Sequence, residues 1–135
     1  MAKPVVLITG GSQGIGEAIA KVFAREIRGV RLALVARSGK NLETVAGACA
    51  KLGATAETFP CDVGDEASVA AMAQAVAKRF GAVDVLVNNA GKFTGAPFTE
   101  MSAADFDRMI VANLRSVFLV SRALVFFLSP FNTLV

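Results

Sequence analysis

The 135-residue chain contains no histidine and no tyrosine, and only two cysteines, Cys49 and Cys61. Without histidine a lone serine has no base to activate it, so serine-histidine nucleophilic catalysis is excluded. Two cysteines are too few for a disulfide framework, and no metal ligand set is assigned. The opening MAKPVVLITGG lacks the apolar run and cleavage site of a signal peptide, so a reducing, cytoplasmic setting is expected. Blocks of like charge are missing too: 14 Lys and Arg are scattered among 11 Asp and Glu, and the net charge of +3 points to no nucleic-acid or membrane surface. No linker, low-complexity tract or long repeat divides the chain, and a 54% hydrophobic composition is that of one globular domain over residues 1–135.

What is present is a regular alternation. Residues 4–9 (PVVLIT) are a β-branched apolar run of the kind buried on both faces, and residues 14–28 carry Ile15, Ala18, Ile19, Val22, Phe23 and Ile27 at helical spacing. The pattern repeats as VRLALVAR (strand), NLETVAGACAKLG (helix), TAETFPCDV (strand), DEASVAAMAQAVAKRFG (helix closed by Gly81) and VDVLVNNAG (strand). Such alternation predicts a parallel sheet with helices on both faces, joined by right-handed crossovers.

The first strand-to-helix turn carries the most chemistry. Gly10, Gly11, Gly14 and Gly16 omit side chains where the backbone turns, where it approaches a pyrophosphate, and where helix and sheet sit close. Unpaired N–H groups at the helix start face the anion, aided by the helix dipole. A lone glycine string is weak evidence; Gly-x-x-x-Gly-x-Gly after Thr9, between a strand and an amphipathic helix, is much stronger.

The chain resembles the short-chain dehydrogenases/reductases, in particular members similar to 3-oxoacyl-carrier-protein reductase. The resemblance rests on TGGSQGIG (Thr9 to Gly16), CDV (Cys61 to Val63), NNAG (Asn88 to Gly91) and Asn113 in VANLRSVFLVSRA, in the right order over residues 4 to about 125. It implies a three-layer Rossmann-type α/β fold with strand order 3-2-1-4-5 and a nicotinamide dinucleotide cofactor. Gly10, Ser12, Gln13, Gly14, Ile15 and Gly16 would cradle the phosphates, Asp62 and Val63 would meet the adenine, and Asn89, Ala90 and Gly91 would line the cofactor. Asn88 would mainly brace the central strands.

Charge argues which cofactor. A ribose 2′-OH is read by an acid near the end of the second strand, whereas a 2′-phosphate needs a cation there. Ala36 stands where an acid would be wanted and is followed by Arg37, Ser38 and Lys40, so NADPH (NADP) is expected over NAD. The competing reading is a merely solvated Arg37. Gln13 sits where NADPH-preferring relatives often hold a second cation.

One departure from the family bears on activity. Reduction of a carbonyl by hydride needs a proton donor at the nascent alkoxide, supplied in the family by a tyrosine with a lysine four residues on and a substrate-orienting serine. This sequence has no tyrosine, and its last lysine is Lys92. Of the family's catalytic group Asn113 remains, whose part there is to hold a relay water through a helix kink; without the relay, a plain hydrogen-bond partner accounts for it equally well. Cys61, Cys49, Asp84, Ser116, Ser121, Lys92 and Thr94 are the candidate substitute acids, and none stands out. A cofactor-binding protein without the usual reductase activity, an active oxidoreductase using an unfamiliar acid or a partner chain, and a remnant without ligand are the readings left open.

From Leu114 to Val135 the only charges are Arg115 and Arg122. This apolar stretch reads as too short and interrupted for a membrane span, and as a core or partner-facing helix. In the family the matching helix packs across a dimer interface. Phe118, Leu119, Phe126, Phe127 and Phe131 are expected to form an apolar patch that drives homo-oligomer formation through residues 114–135. The final FNTLV is expected as an optional fifth strand beside the fourth. Thr99 is read as the cap of the helix before Asn113, and Asp105 with Arg108 as a simple i,i+3 pair.

Overall fold

The computed structural model describes the backbone of residues 3–134 and the side chains of residues 3–127. Strands β1 (Val5–Thr9), β2 (Arg31–Ala36), β3 (Thr55–Pro60), β4 (Val83–Val87) and β5 (Leu128–Leu134) form one parallel sheet in the order β3-β2-β1-β4-β5. Helices α1 (Gly14–Glu26), α2 (Gly39–Lys51) and α3 (Glu66–Phe80) make the first three crossovers. The fourth is a single helical run: α4 (Ala103–Ile110), a π-helical segment (Val111–Arg115), α5 (Ser116–Leu124) and a 3₁₀ turn (Val125–Phe127).

Because strand side chains alternate, the central strands feed two separate cores. Val5 and Leu7 of β1 and Ala33 and Val35 of β2 meet Val69, Met72, Ala73 and Val76 of α3 and Leu119, Val120 and Leu124 of α5. Val6, Ile8, Leu32 and Leu34 face the other way, onto Ala20 and Ala24 of α1 and Leu42, Val45, Ala46 and Cys49 of α2. The layered fold expected from the alternation is therefore the one observed. It places the carboxyl ends of β1 to β4, and the loops that follow them, along one rim.

Local boundaries differ where local chemistry intervened. Helix α1 stops at Glu26 instead of residue 28, because Ile27 turns extended while its N–H still reaches the Phe23 carbonyl at 3.0 Å. Helix α2 begins two residues early, at Gly39, since Ser38 rather than a later residue caps it by accepting the Asn41 N–H. Thr99 is not the cap of α4. It lies in a 3₁₀ turn (Phe98–Glu100), and Ser102 caps the helix by accepting the Asp105 N–H at 3.1 Å.

The fifth strand is present and starts earlier than FNTLV: Leu128 pairs with Val83, and after an irregularity Thr133 pairs with Val85 and Leu134 with Leu86. Val135 lies outside the described residues, as does the side chain of Phe131. Two residues leave the expected exposed patch: Leu119 is buried in the core shared with α3 and Phe127 is partly buried against that core, while Phe118 and Phe126 are exposed. The apolar stretch from Leu114 is part of a longer helical run than the sequence reading gave it. Helical structure begins well before Leu114, and Ala103–Phe127 runs for 25 residues and contains an 18-residue window of mean hydropathy 1.7, long and apolar enough to cross a membrane by length and composition only. One flank of that run nevertheless belongs to the α3 core.

Candidate functional site

At the carboxyl end of β1 the chain turns through the glycine loop, and two residues lock that loop to the end of β4. The Thr9 hydroxyl accepts the N–H groups of Asn89 and Ala90, both at 3.0 Å. The Asn89 carboxamide donates back to the carbonyls of Thr9 (3.1 Å) and Gly10 (3.2 Å). Thr9 and Asn89 thus join the two central strands, the part expected of Asn88. Asn88 instead donates to the Ser121 hydroxyl at 3.3 Å and ties β4 to α5. Neighbouring residues at a strand end point to opposite faces, so only one of the pair can reach β1.

The loop and α1 are in closest approach at Gly16. A Cβ there would lie 2.0 Å from the Gly10 carbonyl oxygen and 2.6 Å from the Asn89 amide nitrogen, inside any permissible contact. Gly14 contrasts with it: its φ of +57° suits glycine, and a Cβ there would meet nothing within 4 Å. One glycine closes helix onto sheet and the other opens the loop to the rim. Gln13, the residue before α1, makes no side-chain capping bond, so the first-turn N–H groups have no side-chain cap over them.

A groove of about 1090 Å³ runs along this rim. Gly10, Ser12, Gln13, Gly14 and Ile15 form its floor; Arg37 and Ser38 stand at one end with Asp62 and Val63, and Asn89, Ala90 and Gly91 continue it toward the β4 loop. Every expected contact residue is brought to one cavity except Gly16, which sits beneath it as a packing residue, and Asn113, which acts from behind. Nine lining residues were not among the expected cofactor contacts: Ala36, Asn41, Cys61, Gly64, Lys92, Asp107, Arg108, Val111 and Ala112. Asn41 was legible from its place one turn into α2, whereas the α4 residues reach the groove only through the crossover.

The β3–α3 wall is shaped by its own hydrogen bonds. Asp62 Oδ1 accepts the Gly64 N–H (3.0 Å), Ser68 accepts the Asp62 N–H (3.0 Å), and Asp65 caps α3 by accepting the Ser68 N–H (2.8 Å). Val111 comes down on this wall, close enough that a Gly64 Cβ would fall 2.9 Å from its Cγ1. Cys61 lies behind it, buried, and burial pushes its thiol above the usual 9.0, opposed by the Ser68 hydroxyl that donates to its sulfur. Cys49 is raised by burial as well.

Asn113 sits in the π-helical segment. Its Nδ2 donates to the Met109 carbonyl (2.9 Å) and to the Lys92 carbonyl (2.6 Å), and its Oδ1 accepts the Lys92 N–H (3.0 Å). The plain hydrogen-bond role is therefore occupied, and the helix distortion expected around this residue is present. Ser116 donates to the Ala112 carbonyl and Ser121 accepts from Asn88, so neither hydroxyl is poised at the groove. Asp84 is at the far end of β4, where it accepts the Val5 N–H at 2.7 Å.

A dinucleotide fits this donor set: a glycine-floored loop, an uncapped helix N-terminus for phosphate, and a carboxylate and apolar wall for an adenine. D-threitol dehydrogenase of Mycolicibacterium smegmatis is 41% identical over 119 residues, which is 88% of this chain and 45% of that protein. An alcohol dehydrogenase from Thermococcus sibiricus, solved in complex with 5-hydroxy-NADP, superposes with a TM-score of 0.88 at 38% identity over 93% of this chain and 53% of its own. A 3-ketoacyl-ACP reductase from Sinorhizobium meliloti has a TM-score of 0.85 at 33% identity over 92% of this chain and 48% of its own. The chain spans about half the length of the curated relatives it matches. Residues 4–129 match the short chain dehydrogenase family, and with the glycine loop, the groove and the strand order agreeing, this chain belongs to that family.

Proposed function

We propose that this chain binds NADP(H) along the rim groove and, acting by itself, does not carry out the carbonyl reduction for which such a cofactor serves. The single observation that carries the reading is the convergence of Gly10 to Ile15, Arg37 to Ser38, Asp62 to Val63 and Asn89 to Gly91 on one cavity from four separate strand ends. The pyrophosphate takes the first-turn N–H groups of α1, the adenine lies between Asp62–Val63 and Val111, and Arg37 with Ser38 receives the 2′-phosphate. The NADP ligand of the Thermococcus sibiricus structure supports the choice of the phosphorylated dinucleotide.

Such a cofactor supplies hydride when bound, and the alkoxide that results needs a proton. These 135 residues contain no tyrosine and no histidine to give it, and the hydroxyls of Ser116 and Ser121 are engaged elsewhere. The active alternative is favoured by one observation: Asn113 holds the β4 loop against the groove, so a proton donor contributed by another chain would meet an organised half-site. Leu114, Phe118, Val125 and Phe126 are exposed along the fourth crossover, and we place a contact with a second copy there. The two buried free thiols suit a reducing, cytoplasmic setting.

Titration of the purified chain into NADPH, followed by the cofactor's own fluorescence, should give a saturable change; none sinks the binding reading. Cofactor absorbance with ketones, aldehydes and 3-oxoacyl thioesters should stay flat, and steady oxidation by the purified chain sinks the inactive reading. Sedimentation velocity reads the self-association directly.

A further inference from the structure

Arg108 lines the groove from the fourth crossover. It lies on α4, three residues before Val111, and α-helical spacing puts i and i+3 on one face. Val111 packs against Gly64, beside Asp62 and Val63. Arg108 thereby stands over the Val111–Gly64 contact, and it lines the same cavity as Arg37. Its side chain is 60% exposed, and its Nη2 donates to Asp105, whose own carboxylate accepts from the Ser102 hydroxyl at 2.7 Å.

That arrangement holds a guanidinium without consuming it. A guanidinium has five N–H donors, and an exposed pair with one carboxylate leaves most of them free. The opposite charges near the site are accounted for as follows: Asp105 is the tether, Asp62 Oδ1 is committed to the Gly64 N–H, and Asp107 lines the groove next to Arg108. At the glycine loop the lining residue Gln13 is neutral. Arg37 alone on its wall is one cation for a 2′-phosphate that carries close to two charges.

We propose that Arg108 is a second cation for the adenosine 2′-phosphate and acts across the groove from Arg37, making this chain's preference for a phosphorylated dinucleotide depend on α4 as well as on β2. This rests on the NADP(H) reading given above. The Asp105 carboxylate is the positioning group: it fixes the guanidinium at the rim, and Ser102 fixes Asp105 through the same cap that starts the helix.

The test uses the whole chain and calorimetric titration with 2′,5′-ADP, 5′-AMP, NADPH and NADH. Arg108→Gln should weaken 2′,5′-ADP and NADPH by about tenfold, the scale of one charge-assisted hydrogen bond, and leave 5′-AMP and NADH unchanged. Arg108→Lys should recover part of the loss, because it keeps the charge and gives up the fork. Equal weakening of all four ligands, or of none, overturns the proposal; thermal melting shows whether the variant is folded, and Arg108→Lys decides the case if Arg108→Gln is not. Failure of the unsubstituted chain to bind any of the four removes the NADP(H) reading itself. Binding by the unsubstituted chain with an indifferent Arg108→Gln removes only this inference.

Discussion

The carboxamide of Asn113 grips the backbone of Lys92 from both sides, accepting its N–H at 3.0 Å and donating to its carbonyl at 2.6 Å, across 21 residues of sequence. The same Nδ2 reaches the Met109 carbonyl, within the stretch where the helix widens into its π segment. One side chain therefore joins the crossover helix to the loop after β4.

Asn113→Ala removes all three bonds and should lower stability by about 1–3 kcal/mol, the usual penalty for stranding polar groups that have lost a partner. Differential scanning calorimetry reads the loss. Hydrogen exchange should speed up at Lys92 before it does in β1. A variant with an unchanged Tm shows that the grip contributes nothing.

Gly16→Ala and Gly14→Ala should behave differently although the residues are two apart. The first drives a methyl to 2.0 Å from the Gly10 oxygen, which only a shift of α1 can relieve, so about 1–3 kcal/mol is lost together with cofactor binding. The second meets no atom within 4 Å and costs only the positive φ, about 1 kcal/mol. Chemical denaturation of both variants checks the order, and a Gly14→Ala more damaging than Gly16→Ala contradicts it.

Arg37→Ala should reduce NADPH affinity by about tenfold while NADH is little changed, if the guanidinium receives the 2′-phosphate. Competitive displacement of the fluorescent cofactor measures both. Equal effects on the two dinucleotides return Arg37 to the role of a solvated strand-end residue.

The thiols predict a pH dependence. Burial raises both Cys61 and Cys49 above 9.0, so each folded-state pKa exceeds the unfolded one. The neutral thiol is what the fold favours; this contribution is complete below pH 9.0 and is lost as pH rises through the folded values. At pH 8 a disulfide reagent should titrate neither cysteine until denaturant is added. Rapid native-state reaction at Cys61 means that its wall opens.

Asp105 has the opposite sign. The hydroxyl of Ser102 and then the guanidinium of Arg108 hold its carboxyl below the usual 3.8, so the cap of α4 persists through neutral pH and loosens only as acid protonates it below that value. The carboxyl carbon of Asp105, followed by NMR between pH 6 and pH 2, should titrate late. A midpoint at or above 3.8 shows that neither partner holds it.

The order of strands and helices was readable in the residues because it rests on local physics. VVLIT can only be a strand buried on both sides, α3 repeats its apolar positions at helical spacing, and a glycine-rich turn between strand and helix leaves N–H groups for an anion. The site's first wall followed from that, since consecutive residues at strand ends share one rim by chirality alone. What the tertiary structure decided were the meetings between distant segments. Asn89 rather than Asn88 joins β4 to β1, because only one of two neighbours at a strand end faces that partner. Ser102 displaces Thr99 as a cap, because the preceding residues close a 3₁₀ turn first. Arg108 and Val111 form a far wall, because the fourth crossover returns over the strand ends. Side-chain type and spacing dictate which face of an element is apolar; only packing in three dimensions dictates which polar groups are left facing one another across a gap.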